Sequence, residues 1–170
     1  MNTEITSAME YASSLIDVHY IWWKENEPNL ENLFYVNWSP DFETINKRGV
    51  NCAGFINLVR QSIGRKIRKP VGEIGRMYPG GTGYWYELLR HDGVLEKYVE
   101  GKKYPIGTLF LRTFRDEQDQ GHVAIQYDDQ QHIIHAFDES PEFNGVKVTR
   151  LGYIPDYYEY AIHPENWLLN

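Results

Sequence analysis

The chain changes its hydrophobic period once along its length. Before about residue 100 the apolar residues recur at helical spacing, and after Pro105 they gather into short β-rich runs separated by turn residues. From Thr3 to Asp17, Ile5, Met9, Ala12 and Ile16 fall at i, i+4, i+7 and i+11, which predicts a helix with one buried stripe. Asn51 to Gly64 predicts a second helix: Asn51 caps it, Phe55, Leu58, Val59 and Ile63 line one face, and Gly64 suits the position just past its end. A short third helix is expected over Trp85 to Arg90, stopping near Asp92-Gly93. The β-rich runs are Thr108 to Phe114, His122 to Tyr127, His132 to Phe137, Val146 to Leu151 and Tyr157 to Ile162. Helices first and strands second predict an α+β domain with a largely antiparallel sheet. With 170 residues and no repeat, low-complexity tract or linker, residues 1–170 are expected to form one domain.

Two stretches carry no regular period. Residues 24 to 50 mix Pro28, Pro40 and scattered aromatics, and predict a long irregular connection. Residues 71 to 83, around Tyr78-Pro79-Gly80-Gly81-Thr82-Gly83, predict a flexible loop that is either a lid or a plain linker. It lacks the Gly-Lys-Ser/Thr ending of a nucleotide loop.

A net charge of −7 disfavours phosphate backbones and anionic lipid, so no nucleic-acid partner is expected. No run is long enough to span a membrane. The first 17 residues lack a basic region followed by an apolar stretch, so the expected location is the cytoplasm unless another system or lysis releases the protein. Nothing in the sequence specifies an oligomeric state. A lone cysteine, Cys52, excludes an intramolecular disulfide and a multi-thiolate zinc site, and neither metal nor cofactor is expected.

Cys52 falls in the first turn of the second helix, where unpaired N–H groups and the positive dipole end favour a thiolate. Position alone fits a small buried hydrophobe equally well. A thiol nucleophile also needs a base and a group to orient that base. Among His19, His91, His122, His132, His135 and His163, two lie in a predicted hairpin, from Gly121 through the turn Asp128-Asp129-Gln130-Gln131 to Phe137. An even-numbered turn sets Tyr127 opposite His132 and Ala124 opposite His135, so His135 and His122 share a face. An odd-numbered turn reverses the assignment. His132 and His135 point to opposite faces, which argues against a shared metal. The basic group Arg60, Arg65, Lys66, Arg68, Lys69 and Arg76 either solvates a helix end or clamps a substrate carboxylate. Tyr20, Trp22, Trp23, Phe34, Tyr35 and Trp38 are expected in the core and a cleft wall.

With His19-Tyr20-Ile21-Trp22, Asn51-Cys52-Ala53-Gly54-Phe55, Gly121-His122-Val123-Ala124-Ile125 and Ile134-His135-Ala136 in that order, the chain from about Ser14 to Phe137 resembles the NlpC/p60-type cysteine peptidases of papain-like fold. Asn51-Cys52-Ala53-Gly54-Phe55 is similar to the family's D-C-S-G-hydrophobic nucleophile helix. Gly121-His122-Val123-Ala124-Ile125 resembles its G-H-V-G-I base strand, and Ile134-His135-Ala136 its I-H-A. His19-Tyr20-Ile21-Trp22 resembles its P-Y-V-W segment, and Tyr104-Pro105-Ile106-Gly107-Thr108-Leu109-Phe110 its L-x-P-G-D-L-V-F.

The resemblance implies Cys52 as nucleophile, His122 as general base and then acid, and His135 as the residue orienting His122. Tyr20 would help position the thiolate or the oxyanion. The reaction implied is hydrolysis of a peptide or amide substrate through a thioester, with peptidoglycan fragments as one candidate. Asn51, Ala53 and Trp22-Trp23-Lys24 depart from the family's Asp, Ser and glycines, and the last two departures alter the border of the cleft. Two other readings keep the fold: an acyltransferase, whose usual His-before-Cys order is not seen here, and a catalytically silent binding module.

Overall fold

The computed structural model describes residues 2–22, 33–68, 80–116 and 118–170. Among these, five helices and six strands form an α+β fold: α1 (Thr3–Ser14), α2 (Phe42–Arg48), α3 (Cys52–Ser62), α4 (Thr82–His91), β1 (Glu96–Lys97), β2 (Leu109–Arg112), β3 (His122–Gln126), β4 (His132–Ser140), β5 (Phe143–Arg150), β6 (Tyr160–Ile162) and α5 (Pro164–Trp167). The strands form one sheet in the order β1-β6-β2-β3-β4-β5, antiparallel at every pairing.

Local chemistry explains the boundaries. Asn2 caps α1 by accepting from the Glu4 N–H, and the helix stops at Ser14. Asp17 then turns to a φ of 72° and its N–H bonds to the Val146 carbonyl. The expected helix ran to Asp17 with Ile16 in its stripe; the early stop leaves Ile16 exposed and buries Leu15 and Val18 instead.

Within the stretch read as an irregular connection, Asp41 accepts from the Thr44 N–H and starts α2, with only Ile45 buried. A seven-residue helix with one apolar anchor leaves no period to detect.

Asn51 caps α3 as expected, its Oδ1 accepting from the Gly54 N–H at 2.7 Å. The helix is not one-faced, however. Every residue from Cys52 to Arg60 is buried, because it lies between the sheet, α1, α4 and the Leu33–Tyr35 segment. Burying Phe55, Leu58 and Val59 contributes roughly 1.5–3 kcal/mol each.

α4 begins at Thr82, three residues before the expected start. Residues 80–83, read as part of a flexible loop, are buried. Gly80 has a φ of +78°, and a Cβ there would lie 2.7 Å from Asn57 Nδ2. Asn57 in turn donates to the carbonyls of Phe34 and Gly80 and accepts from Trp85 Nε1, tying α3 to α4. Residues 71–79 of that stretch lie outside the described residues, as do Trp23, Lys24 and Lys69.

The sheet divides two cores. Leu109, Leu111, Val123, Ile125, Ile134, Ala136 and Val146 face the helices, while Phe110, Ala124 and Ile133 pack with Leu151, Tyr158 and Ala161 on the other side. Arg60 is buried under the C-terminal segment and donates to the carbonyls of Trp167, Leu168 and Asn170. That role is structural and differs from both roles weighed for the basic group. The β3–β4 turn spans Asp128 to Gln131, with Ile125 opposite Ile134 and the Tyr127 N–H on the His132 carbonyl. It is the even register, so His122 and His135 share a face. No helix among the described residues is long and apolar enough to cross a membrane.

Candidate active site

Cys52 is the first residue of α3 and is 8% exposed. Its Sγ lies 3.8 Å from Oγ1 of Thr82, the first residue of α4, and against the backbone N–H of Val123. The thiol therefore meets the peptide between His122 and Val123, at the start of β3. Burial pushes the Cys52 thiol up, outweighing the Thr82 hydroxyl and the Val123, Ala53 and Cys52 N–H groups, which pull the other way. The helix N-terminus acts on the thiol as the sequence suggests, but desolvation wins.

His122 starts β3 and is 4% exposed. Its Nε2 lies 2.8 Å from His135 Nδ1, and His135 Nε2 lies 3.0 Å from Thr149 Oγ1 on β5. With Nε2 engaged, Nδ1 is the His122 nitrogen left for a thiol. Burial drives His122 well below the ordinary histidine range, with His135 and Arg112 adding to the shift. Burial alone lowers His135 to about 4. At neutral pH both rings are therefore uncharged and Cys52 is a thiol: the resting site is a neutral set, not an ion pair.

Aromatic rings enclose the imidazoles. Phe137 stacks on His135 at 5.1 Å and meets His122 edge-on at 5.2 Å, and Tyr157 and Tyr158 lie 5.8 and 6.2 Å from His122. The Arg112 guanidinium sits 5.0 Å over the Tyr157 ring and is held by Asp119, whose carboxyl it keeps at about 2. A pocket open to solvent is bounded by His135, Phe137, Thr149, Tyr153, Tyr157 and Tyr158, among others.

Tyr20 is brought to the start of α3 by the backbone. It bridges Val50, two residues before Cys52, with the Ile21 N–H on the Val50 carbonyl and the Val50 N–H on the His19 carbonyl. The Tyr20 N–H donates to Asn144 Oδ1 at 3.0 Å, and its ring packs on the core that includes Cys52. Asn51 is buried, and its Nδ2 has no hydrogen-bond partner.

Cys52 and Asn51 thus stand at the start of α3 with Tyr20 beside Val50, and Cys52 meets the Val123 N–H next to His122, which pairs with His135. The other histidines lie elsewhere: His132 pairs with Asp128 at 2.7 Å, His163 caps α5, and His19 and His91 are exposed. Among the described residues no group of three or more His, Cys, Asp or Glu could hold a metal ion. Sequence reasoning missed Thr82, Thr149, Tyr157, Tyr158, Arg112 and Phe137. Tyr157 and Tyr158 were read into a strand that begins only at Tyr160. For Thr82 and Thr149 no sequence signal exists, because each reaches the site from an element distant in the chain.

No protein-family model matches the chain, and no curated protein matches it. Among solved structures it is similar to a protein described as "similar to lipoprotein, NLP/P60 family" from Staphylococcus aureus subsp. aureus Mu50, with a TM-score of 0.54 and 16% identity. The likeness covers 96% of this chain and 42% of that one. The fold is that of an NlpC/P60 protein. At this identity the likeness speaks for the NlpC/P60 fold alone, and the chain spans less than half the length of that relative.

Proposed function

We propose that the chain is a cysteine amidase or peptidase. The observation that supports the reading is the buried His122–His135 pair, 2.8 Å apart, with Cys52 against the backbone N–H of Val123, the residue that follows His122. His122 Nδ1 takes the thiol proton as Sγ attacks the carbonyl carbon of the substrate amide. Backbone N–H groups at the start of α3, with Tyr20 beside them, stabilise the oxyanion. His122 then gives its proton to the departing amine nitrogen, leaving a thioester on Cys52. Water, deprotonated by the same imidazole, attacks the thioester; a carboxylic acid leaves and the thiol is restored. Because the resting groups are neutral, proton transfer accompanies attack instead of preceding it. The substrate class proposed first is the stem peptide of bacterial peptidoglycan, met in the cytoplasm or after release by another system.

The test is mass spectrometry of a panel of stem peptides and simple amides incubated with the wild-type chain, Cys52→Ala and His122→Ala. Cleavage by the wild type alone, with an acyl adduct trapped on Cys52 by acid quench, supports the hydrolase. Equal turnover by Cys52→Ala sinks it.

One observation favours a second reading, the silent binding module: the thiol is buried and its pKa is raised, not lowered. Iodoacetamide labelling separates the two. Labelling of the single thiol that slows on His122→Ala supports an assisted nucleophile. Labelling indifferent to His122 and His135 supports the module.

A further inference from the structure

Resting on the hydrolase reading, we infer that Thr149 is a positioning residue that selects the tautomer in which His122 can act as a base. The chain of contacts is linear: His122 Nε2 to His135 Nδ1 at 2.8 Å, then His135 Nε2 to Thr149 Oγ1 at 3.0 Å. Thr149 faces Ile133 across β4 and β5, two pairs along from His135, so its hydroxyl reaches the imidazole diagonally on the same sheet face.

Two proton arrangements satisfy these contacts. In one, Thr149 donates to His135 Nε2, His135 Nδ1–H donates to His122 Nε2, and His122 carries its proton on Nδ1, where it cannot accept from a thiol. In the other, His122 Nε2–H donates to His135 Nδ1, His135 Nε2–H donates to Thr149 Oγ1, and His122 Nδ1 is a bare lone pair. Only the second matches the imidazolium that forms when His122 takes the Cys52 proton, because that cation must keep its Nε2–H toward His135. The hydroxyl is thus needed as an acceptor for a ring N–H buried at 5% exposure. Without it, the orphaned N–H disfavours the base-competent arrangement. Thr149 also lines the open pocket, so alanine in its place admits water, and valine, which replaces the hydroxyl by a methyl, is the informative change.

The experiment is long-range ¹H–¹⁵N correlation on the histidine-labelled full chain at neutral pH, for wild type, Thr149→Val and Thr149→Ser, with circular dichroism to confirm folding. The wild type should carry its protons on Nε2 of both rings. Thr149→Val should move the His122 proton to Nδ1 and slow both Cys52 alkylation and any amide turnover by about tenfold to a hundredfold. Thr149→Ser should restore both. Unchanged tautomers in Thr149→Val, or a serine variant that behaves like valine, overturn the inference. If Thr149→Val unfolds, Thr149→Ile, which also lacks the hydroxyl and leaves no room for water, replaces it, and an unchanged His122 tautomer there is equally fatal. Failure of the hydrolase reading is distinct: Cys52→Ala then leaves turnover intact whatever the tautomers do.

Discussion

Thr82 Oγ1 lies 3.8 Å from Cys52 Sγ, so the first residues of two helices, α4 and α3, meet at the thiol. The hydroxyl is among the groups that pull the thiol pKa down against burial. Thr82→Val removes it while keeping the shape. The midpoint of Cys52 alkylation against pH should move upward, and the rate at pH 8 should fall by about twofold to tenfold. Thr82→Ser should stay near wild type; an unmoved midpoint in the valine variant would show that the contact carries no weight.

Acid should destabilise the fold before its carboxylates titrate. His135 binds its proton at about 4 when folded and at about 6.5 when unfolded. Between those values the unfolded chain holds more protons, so stability is full above about pH 6.5 and falls as pH drops toward 4. The loss from His135 is about 3 kcal/mol when complete, and buried His122 adds to it in the same direction. Urea midpoints between pH 7 and 4 measure the slope. His135→Gln should flatten it, and an equally steep slope in that variant would remove His135 as its source.

Arg60 holds the carbonyls of Trp167, Leu168 and Asn170 from inside the core, with burial lowering its guanidinium to about 10. It remains charged at neutral pH. Arg60→Met leaves those carbonyls without their donor, at a cost of about 2–4 kcal/mol. Chemical denaturation reads this directly. Alkylation of Cys52 in the folded variant should be unchanged, because Arg60 makes no contact with the imidazoles.

Gly121 carries a φ of +77°, and a Cβ there would fall 2.4 Å from the Arg112 carbonyl oxygen. Gly121→Ala must open the β2–β3 pairing at Arg112 and His122, since the neighbour is backbone and cannot rotate away. A stability loss of about 2–4 kcal/mol is expected, accompanied by slower alkylation, because the displaced residue is His122. Loss of stability with labelling unaltered would mean that the start of β3 does not position the imidazole.

Much of the architecture was legible without coordinates. The early helices, the β-rich second half and the cap at Asn51 follow from local periodicity and a side-chain oxygen placed before an apolar run. The hairpin register was legible conditionally. Alternation put His122 and His135 on one face for an even turn, and Asp128, by accepting from the Gln130 and His132 N–H groups, holds the four-residue turn that makes it so. α2 was not legible, because a single buried Ile45 makes no pattern. Nor was the start of α4, where Gly80 to Gly83 resemble a loop but are buried against Asn57.

By itself the sequence determined the order of early helices and later strands and which residues carry reactive groups. It also placed a lone thiol at a helix start and, for an even turn, two imidazoles on one face of the sheet, because these depend on neighbours a few residues away. Only the tertiary structure decided what surrounds those groups: Thr82 against the sulfur, Thr149 behind His135, and Phe137, Tyr157 and Tyr158 around the rings. That surrounding set the charge state. A helix N-terminus favours a thiolate in any sequence that builds one, whereas the desolvation that keeps Cys52 and both histidines neutral arises from packing between distant segments, which no local pattern encodes.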